Sequence, residues 1–528
     1  MHMKKHTTPM HSGVIRLFIH PFDFDYDIQT LVRSFYPQGK IKLLKGIFPA
    51  EDSHTVRGQE ILLQIHLLEE EVKAELYHQQ ALLGSCQEQI SGKEGESWHK
   101  DADRSQDSFR NRYKNVVKRV VFTCLSKYGP GLSSFPKQIP AWGTMTGVRP
   151  AKIAMQLLEK GKSPEEVEKE LQDIYCCSRE KAKLLLTVAE KEMKLLSRIP
   201  YEDGYSLYIG IPFCPTTCLY CSFTSYPIAR YKEYTESYLT ALKKEIRVMG
   251  EKMSHKQLHT VYVGGGTPTS LEAYQLEDLL GFLQKAFDFT HVREFTVEAG
   301  RPDSITREKL DVLRQQGVTR ISVNPQTMKE ETLQCIGRHH TVEQTKEAFL
   351  LAREAGFDNI NMDLIAGLPG ETIEDFAKTL EEIAGLNPDS VTIHSLVVKR
   401  ASELRSRREE GEFSEGSDVD AMLGLGERFA GEKGYYPYYM YRQKNKAGHA
   451  GKSAQENIGF AREGKECLYN IFIMEEKQTI LALGAGASTK LYHRENGRVE
   501  RIENVKNVED YVRRIDEMIG RKMEADNE

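Results

Sequence analysis

Between Ser206 and Leu396, apolar β-rich runs alternate with amphipathic stretches in a steady rhythm. The apolar runs fall at 206–211, 260–264, 294–299, 320–325, 359–365 and 390–396, with helical spacing near 233–253, 272–288, 306–316, 342–355 and 373–385. Strands alternating with helices imply right-handed crossovers and a parallel sheet, and six such units predict an α/β fold of the (β/α)6 partial-barrel type. In parallel barrels chemistry gathers at the C-terminal strand ends, so those ends carry the search for a site.

The chain before this region reads differently. Val14 to Ile19 and Ile61 to Leu67 have strand patterns, Asp27 to Phe35 is a short amphipathic helix, and Ser108 to Tyr128 carries Val116, Val117, Val120, Val121 and Leu125 at helical spacing. The polar stretch Gln87 to Asp107 reads as a solvated loop or frayed helix. A glycine-punctuated loop, Trp142 to Pro150, leads into helical sequence over 151–160 and 163–197, where Ser163-Pro164-Glu165-Glu166 combines an N-cap, a first-turn proline and first-turn acids. Trp142 and Arg149 could contact a planar anion, although such loops more often serve as structural junctions. After residue 400 the chain is charged over Arg405 to Glu415, then helical to about Lys433, then aromatic in Tyr435-Tyr436-Pro437-Tyr438-Tyr439-Met440-Tyr441. That run is either an ordinary half-buried strand or a flat apolar wall over the barrel mouth. Val508 to Met523 predicts one closing amphipathic helix. The expected organisation is an α+β accessory domain over 1–140, a helical connector over 141–202, the partial barrel over 203–400 and a substrate-cover domain over 401–528.

Composition narrows the class. Lys and Arg total 72 against 77 Asp and Glu, a formal charge of −5 with both signs interspersed, which gives no reason to expect nucleic acid as a partner. No apolar run approaches a membrane span and Met1 to His6 lacks a signal-peptide core, so a cytoplasmic protein without stable membrane association is expected. Nine cysteines in 528 residues are no disulfide framework, and Cys86, Cys124, Cys176, Cys177, Cys335 and Cys467 read as small buried hydrophobes.

The remaining three, Cys214, Cys218 and Cys221, follow the first strand in a C-x3-C-x2-C pattern. Three thiolates around one cubane leave one iron without a protein ligand, free to bind a small molecule. The competing readings are a zinc site completed by a distant fourth ligand and a chance C-x2-C pair. The later strand ends carry Gly264-Gly265-Gly266-Thr267-Pro268-Thr269, then Glu298, Gln326, Asp363 ahead of Gly367-Leu368-Pro369-Gly370, and His394-Ser395. Glycines permit close backbone approach to a ligand, and the polar groups would face the same mouth.

The spacing resembles the radical S-adenosylmethionine (SAM) superfamily. Tyr208 to Cys214, the three cysteines, Gly264 to Thr269, Glu298, Gln326, Gly337-Arg338-His339-His340 and Asp363 to Gly370 occur in an order similar to the oxygen-independent coproporphyrinogen III oxidase family, in particular its HemZ type. The resemblance implies a [4Fe-4S] cluster held by Cys214, Cys218 and Cys221, with SAM on the open iron steadied by Tyr208, Gly265 and Glu298. Tyr208 and Glu298 would serve the catalytic step. It implies a second SAM at Tyr220, Gly266, Thr267, Gln326, Arg338 and Asp363. Reductive SAM cleavage would give a 5′-deoxyadenosyl radical that removes hydrogen from a substrate propionate, and loss of CO2 and one electron would leave a vinyl group. A porphyrinogen substrate and a low-potential electron donor such as flavodoxin or ferredoxin are the implied partners.

The chain also departs from that family. The oxidases proper carry a histidine where Gly210 stands and a fourth cysteine where Phe223 stands. Haem chaperones of the same fold carry an HN-x-x-YW motif, matched here by Tyr469-Asn470-Ile471-Phe472-Ile473-Met474, which lacks both the histidine and the tryptophan. The alternatives to the oxidase are therefore a haem carrier and a radical SAM enzyme that opens the haem ring.

Overall fold

The computed structural model describes residues 14–36, 39–44, 61–92, 96–98, 108–130, 132, 139–221, 225–397, 404, 418–442 and 456–525. The chain forms two compact units, Met1–Leu186 with Arg442–Gln455 and Thr187–Tyr441 with Glu456–Glu528. The N-terminal hexapeptide, the charged run 405–415 and Phe223 lie outside the described residues.

The first unit is built on strands β1 (Val14–His20), β2 (Lys40–Leu44), β3 (Ile61–Leu67), β4 (Glu71–His78) and β5 (Ala81–Gln89), ordered β2-β1-β3-β4-β5. Alternation places Ile15, Leu17, Ile61, Leu63, Ile65, Val72, Ala74 and Leu76 in one core with the apolar stripes of helices Asp25–Phe35 and Phe109–Tyr128. The expected strands and helices are present. The polar stretch after residue 87 differs in part, because Gln87–Gln89 belong to β5 and Trp98 is buried against Tyr113 with ring centroids 4.7 Å apart. The remainder of that stretch is irregular or outside the described residues. Trp142 is buried, and Thr144 donates through both its amide (2.7 Å) and its hydroxyl (3.1 Å) to the Tyr175 carbonyl. That loop is a packed junction.

Helices Ala151–Glu159, Pro164–Asp173 and Arg179–Leu196 follow, the second opening on a capping box between Ser163 and Glu166. The helix expected over 163–197 is thus two helices. Cys176, with φ +53°, sits in the break, a backbone region that a helix cannot use.

The second unit holds one 11-stranded sheet. Its parallel core contains β6 (Gly204–Ile211), β9 (Gln257–Gly265), β10 (Glu294–Gly300), β11 (Arg320–Val323), β12 (Ile360–Ala366) and β13 (Ser390–Ser395), each bonded to the next, while β7 (Phe213–Cys214) and β8 (Tyr226–Pro227) form a separate short pair. The six expected strands are all there, and the crossover helices Ile228–Lys252, Ala273–Ala286, Arg307–Gln315, Val342–Glu354 and Ile373–Leu386 match the predicted ones. The sheet is open at both edges, as a partial barrel requires.

The C-terminal region extends this same sheet. Past β13 come β15 (Glu456–Ala461), antiparallel, and β14 (Tyr436–Arg442) at the edge, so the tyrosine run is a strand. Beside β6 lies β16 (Thr479–Leu483), a seventh parallel strand, followed by the antiparallel β17 (Ser488–His493) and β18 (Arg498–Glu503). The closing helix expected over 508–523 is broken at Arg514 into Val508–Arg513 and Ile515–Glu524. Its anchor is Glu245, fully buried, whose carboxylate accepts from Lys522 Nζ (2.8 Å), Tyr511 OH (2.6 Å), Asn504 Nδ2 (2.9 Å) and the Gly484 amide (2.9 Å). Four donors offset the desolvation of one buried carboxylate and hold the Gly484 turn beside the end of β6.

Strand interiors are not apolar on both sides. Register aligns Ser206 with Thr260, Tyr208 with Tyr262, Tyr262 with Thr296, and Glu298 with Ser322, so one face is polar along its length. The alternate residues Leu207, Ile209, Val261, Val263, Val297, Ile321, Met362 and Ile393 are buried and apolar. Some neighbouring groups on the polar face bond one another, as in Thr260 Oγ1 donating to Ser206 (2.7 Å) and Ser390 Oγ donating to Asn361 Oδ1 (3.0 Å), while the buried Ser322 hydroxyl has no hydrogen-bond partner among the described residues.

Candidate active site

β7 ends on Cys214 and the loop after it carries Cys218 and Cys221, and this segment is stapled from two directions. On one side the Gly266 and Thr267 amides donate to the Ile211 and Phe213 carbonyls, both at 2.7 Å. On the other, the Leu219 amide donates to Ile336 O (3.0 Å) and Thr216 Oγ1 to Gly337 O (3.2 Å). The thiol of Cys214 lies within electrostatic reach of those of Cys218 and Cys221. Among the described residues no three His, Cys, Asp or Glu side chains converge as on a single metal ion. A cubane, with one iron per thiolate, does not ask for such convergence.

The three thiols do not share one environment. Burial pushes Cys214 up to about 12. Burial also raises Cys218, but the guanidiniums of Arg338 and Arg301 outweigh it and hold that thiol below its ordinary value. Arg301 is itself nearly enclosed, at 3% side-chain exposure, and forms a two-pronged pair with Asp303.

A glycine turn meets the cysteines. A Cβ on Gly266 would lie 2.5 Å from Phe213 O, 2.8 Å from Ile211 O and 3.0 Å from Cys214 Sγ, and one on Gly264 would lie 2.8 Å from the Glu298 carboxyl carbon. Only glycine leaves this cradle open. Thr267 Oγ1 donates to Cys214 Sγ at 3.6 Å.

Behind the turn, Glu298 accepts from Tyr262 OH at 2.5 Å and from the Gly265 amide at 3.3 Å. Burial is the main reason its carboxyl is pushed up to about 7, against the lowering effect of the Tyr262 bond. Tyr208, Tyr262 and Tyr469 form a stack, with centroids 4.5 Å apart for Tyr262 and Tyr469 and 6.2 Å from Tyr208 to each. Tyr469 is held there because Glu294, at the start of β10, accepts from the Leu468 (2.6 Å) and Tyr469 (3.3 Å) amides at the head of helix Leu468–Glu475.

The far strands complete the mouth. Gln326 lies just beyond β11 with φ +70°, held there because its amide donates to Asp363 O (3.0 Å) and its carbonyl accepts from the Ile365 amide (2.9 Å). Its buried Oε1 has no hydrogen-bond partner, a strained and unsatisfied group of the kind found where ligands bind. Asp363 accepts from Asn361 Nδ2 at 2.7 Å and lies 3.8 Å from His394 Nε2. Burial alone would raise Asp363, but His394 and the bonds from Asn361 and Thr392 hold it below the usual carboxylate range. It does not cap the next helix, whose N-terminus at Thr372 has its own capping box with Asp375. Arg338 donates to the Pro325 carbonyl (3.4 Å) and, with Tyr220, reaches Cys218.

Cys214, Gly265 and Glu298 lie at or near the C-terminal ends of their strands, Tyr208 and Asp363 lie within β6 and β12, and Cys218, Tyr220, Cys221, Gly266, Thr267, Gln326 and Arg338 lie on the loops beyond the strands. Tyr262, Arg301, Asp303 and the inward use of Tyr469 were not expected. The available signal for Tyr262 was its position two residues before Gly264, which puts it on the same face.

Residues 208–383 match the Radical SAM superfamily. The chain is 41% identical over 425 residues, 80% of this chain and 82% of the other, to the oxygen-independent coproporphyrinogen-III oxidase-like protein HemZ of Bacillus subtilis. It is 37% identical over 195 residues, 37% of this chain and 51% of the relative, to the heme chaperone HemW of the same organism. A solved structure of the Escherichia coli coproporphyrinogen III oxidase HemN, described as a radical SAM enzyme, superposes with a TM-score of 0.50 at 24% identity, covering 62% of this chain and 73% of that one, a likeness of fold.

Proposed function

The chain belongs to the radical SAM family of oxygen-independent coproporphyrinogen III oxidase-like proteins of the HemZ type, and from that premise we propose that it oxidatively decarboxylates coproporphyrinogen III to protoporphyrinogen IX without oxygen. The family's cofactors are a [4Fe-4S] cluster and SAM. Cys214, Cys218 and Cys221 would hold the cluster. Tyr208, Gly265 and Glu298 would hold the SAM on it, and Tyr220, Gly266, Thr267, Gln326, Arg338 and Asp363 a second one. When bound, these groups supply a hydrogen-atom abstractor generated by one-electron reduction.

The protein's own part is placement. Glu298, poised between neutral and ionised near pH 7, offers one oxygen to Tyr262 and keeps lone pairs for ribose hydroxyls or a sulfonium. Asp363 stays anionic beside His394 and presents an acceptor across the mouth. The tyrosine stack lines one side of Glu298, with Tyr262 bonded to its carboxylate.

One observation carries the choice of enzyme over carrier. Where the chaperone motif has its histidine, this chain has Tyr469, 5% exposed and stacked on Tyr262, so no imidazole is offered there to haem iron. The likeness to HemW favours the carrier as the second reading. A porphyrinogen and a low-potential donor of the flavodoxin or ferredoxin kind would be the partners, in the cytoplasm. Among the described residues no helix is long and apolar enough to cross a membrane, and nucleic acid has no part in this reading. The deciding experiment incubates anaerobically reconstituted protein with SAM, a reductant and coproporphyrinogen III. Protoporphyrinogen IX and CO2 are expected, whereas stoichiometric haem binding with no porphyrinogen consumed would transfer the assignment to the carrier.

A further inference from the structure

The turn that follows Glu298 holds a second charged group, Arg301, outside the residues proposed above to hold SAM. Arg301 directs Nε at Asp303 Oδ1 (2.9 Å) and Nη2 at Asp303 Oδ2 (2.7 Å), a two-point clamp that fixes the plane of the guanidinium. That plane aims Nη1 at the cysteine loop, where it donates to Thr216 Oγ1 (2.9 Å), Thr216 O (3.5 Å) and Cys218 Sγ (3.6 Å). The backbone beneath it is pinned as well, since the Arg301 amide donates to Ala299 O (2.7 Å) and Ser304 Oγ donates to Arg301 O (2.7 Å). Thr216 in turn is tied to Gly337 O.

We propose that Arg301 is a positioning residue for the cluster, a clamped cation that hydrogen-bonds one of its thiolate ligands, Cys218, and makes the cluster easier to reduce. Hydrogen bonds to ligand sulfurs and nearby positive charge both stabilise the reduced, more negative cluster, and partners of the ligands tune a metal site as the ligands themselves do. Asp303 sets the strength of the effect, because it both orients the guanidinium and neutralises part of its charge. The arrangement is lopsided. No arginine–thiolate bond to Cys214 is present among the described residues, where the donor is the neutral Thr267 hydroxyl. One corner of the cluster would therefore feel the cation most.

The inference rests on the family's cluster and not on the identity of the substrate, so the test is run with no porphyrinogen present. Full-length protein is reconstituted anaerobically and titrated electrochemically, with the reduced cluster followed by electron paramagnetic resonance. Arg301→Gln should load iron and sulfide normally and shift the midpoint to more negative potential. Arg301→Lys should shift it in the same direction by less, because a lysine keeps the charge but cannot reproduce the fork. A loaded Arg301→Gln with an unchanged or more positive midpoint overturns the proposal. Should Arg301→Gln fail to take up the cluster, Arg301→Lys decides alone, because it keeps a charge to support folding and removes the clamped bond to Cys218. A negative shift there supports the proposal and an unchanged midpoint overturns it. Loss of porphyrinogen turnover with wild-type potentials would speak against the proposed reaction and leave these outcomes to be read separately.

Discussion

Replacing Gly266 by alanine should release the cluster while leaving the fold standing. The added methyl would lie 2.5 Å from Phe213 O and 2.8 Å from Ile211 O, whereas ordinary contact begins at 3.4 Å, so it stands about 0.9 Å too close to the nearer carbonyl. Neither obstacle is the flexible end of a side chain. Both are backbone atoms of the segment that delivers Cys214, and they accept the Gly266 and Thr267 amides at 2.7 Å, with Ser270 Oγ adding a bond of 3.1 Å to Phe213 O. Relief requires separating the glycine turn from the cysteine strand. Losing two of those bonds costs roughly 1 kcal/mol each and the residual overpacking roughly 1–3 kcal/mol more, about 3–5 kcal/mol in all. At about 1.4 kcal/mol per decade this weakens cluster retention by roughly two to four orders of magnitude. The assay is iron and sulfide content after anaerobic reconstitution, with the rate of iron loss to a chelator, alongside circular dichroism. Gly385→Ala is the matched control, since that glycine is exposed in helix Ile373–Leu386 with nothing within 4 Å of a new Cβ, and alanine there should stabilise slightly. A Gly266→Ala protein with full iron and sulfide and wild-type chelator resistance would refute the reasoning.

Alanine at Cys214, Cys218 or Cys221 should abolish the iron–sulfur absorbance, while Cys467→Ala, which loses only a buried thiol bonded to Glu294 at 3.3 Å, should keep it; a full cluster in Cys218→Ala would contradict the ligand set. Glu298 is raised from 4.5 to about 7, so the stability contributed by its neutral form is complete below about pH 4.5 and is lost as pH rises through about 7. Between about pH 5 and about pH 8 the cluster-free protein should lose up to about 2–3 kcal/mol more than Glu298→Gln, a ceiling because Glu298 is only half-buried; parallel urea curves for the two proteins at both pH values would count against this. Asp363→Asn should leave folding and iron content unchanged, because Thr372 caps the helix, and should lower SAM-dependent turnover at least tenfold, since an amide cannot replace both acceptor oxygens; near-normal turnover would remove Asp363 from the proposed second SAM site.

The sequence by itself determined the local elements and the chemistry they carry. Alternating runs of period two and of helical period locate all six expected barrel strands and their helices, because a strand or an amphipathic helix must show its periodicity to bury one side. Cysteine spacing, the glycine turn and the polar strand ends were legible for the same reason, since each is set by neighbours a few residues away. What only the tertiary structure decided involves partners far apart in the chain. The pairing of β16 with β6 joins Leu481 to Leu207, and no local pattern records which strand lies alongside. The polar inner face was hidden because the two faces of short parallel strands are told apart only once register aligns them. Tyr469 became part of the site through Glu294, which anchors its helix from a strand some 170 residues earlier. Arg301 stood in plain view three residues after Glu298, yet its place beside Cys218 depends on the clamp with Asp303 and on a turn of the cysteine loop. Sequence periodicity reports which side of an element is buried, while the choice of what it is buried against is made by the packing of the whole chain.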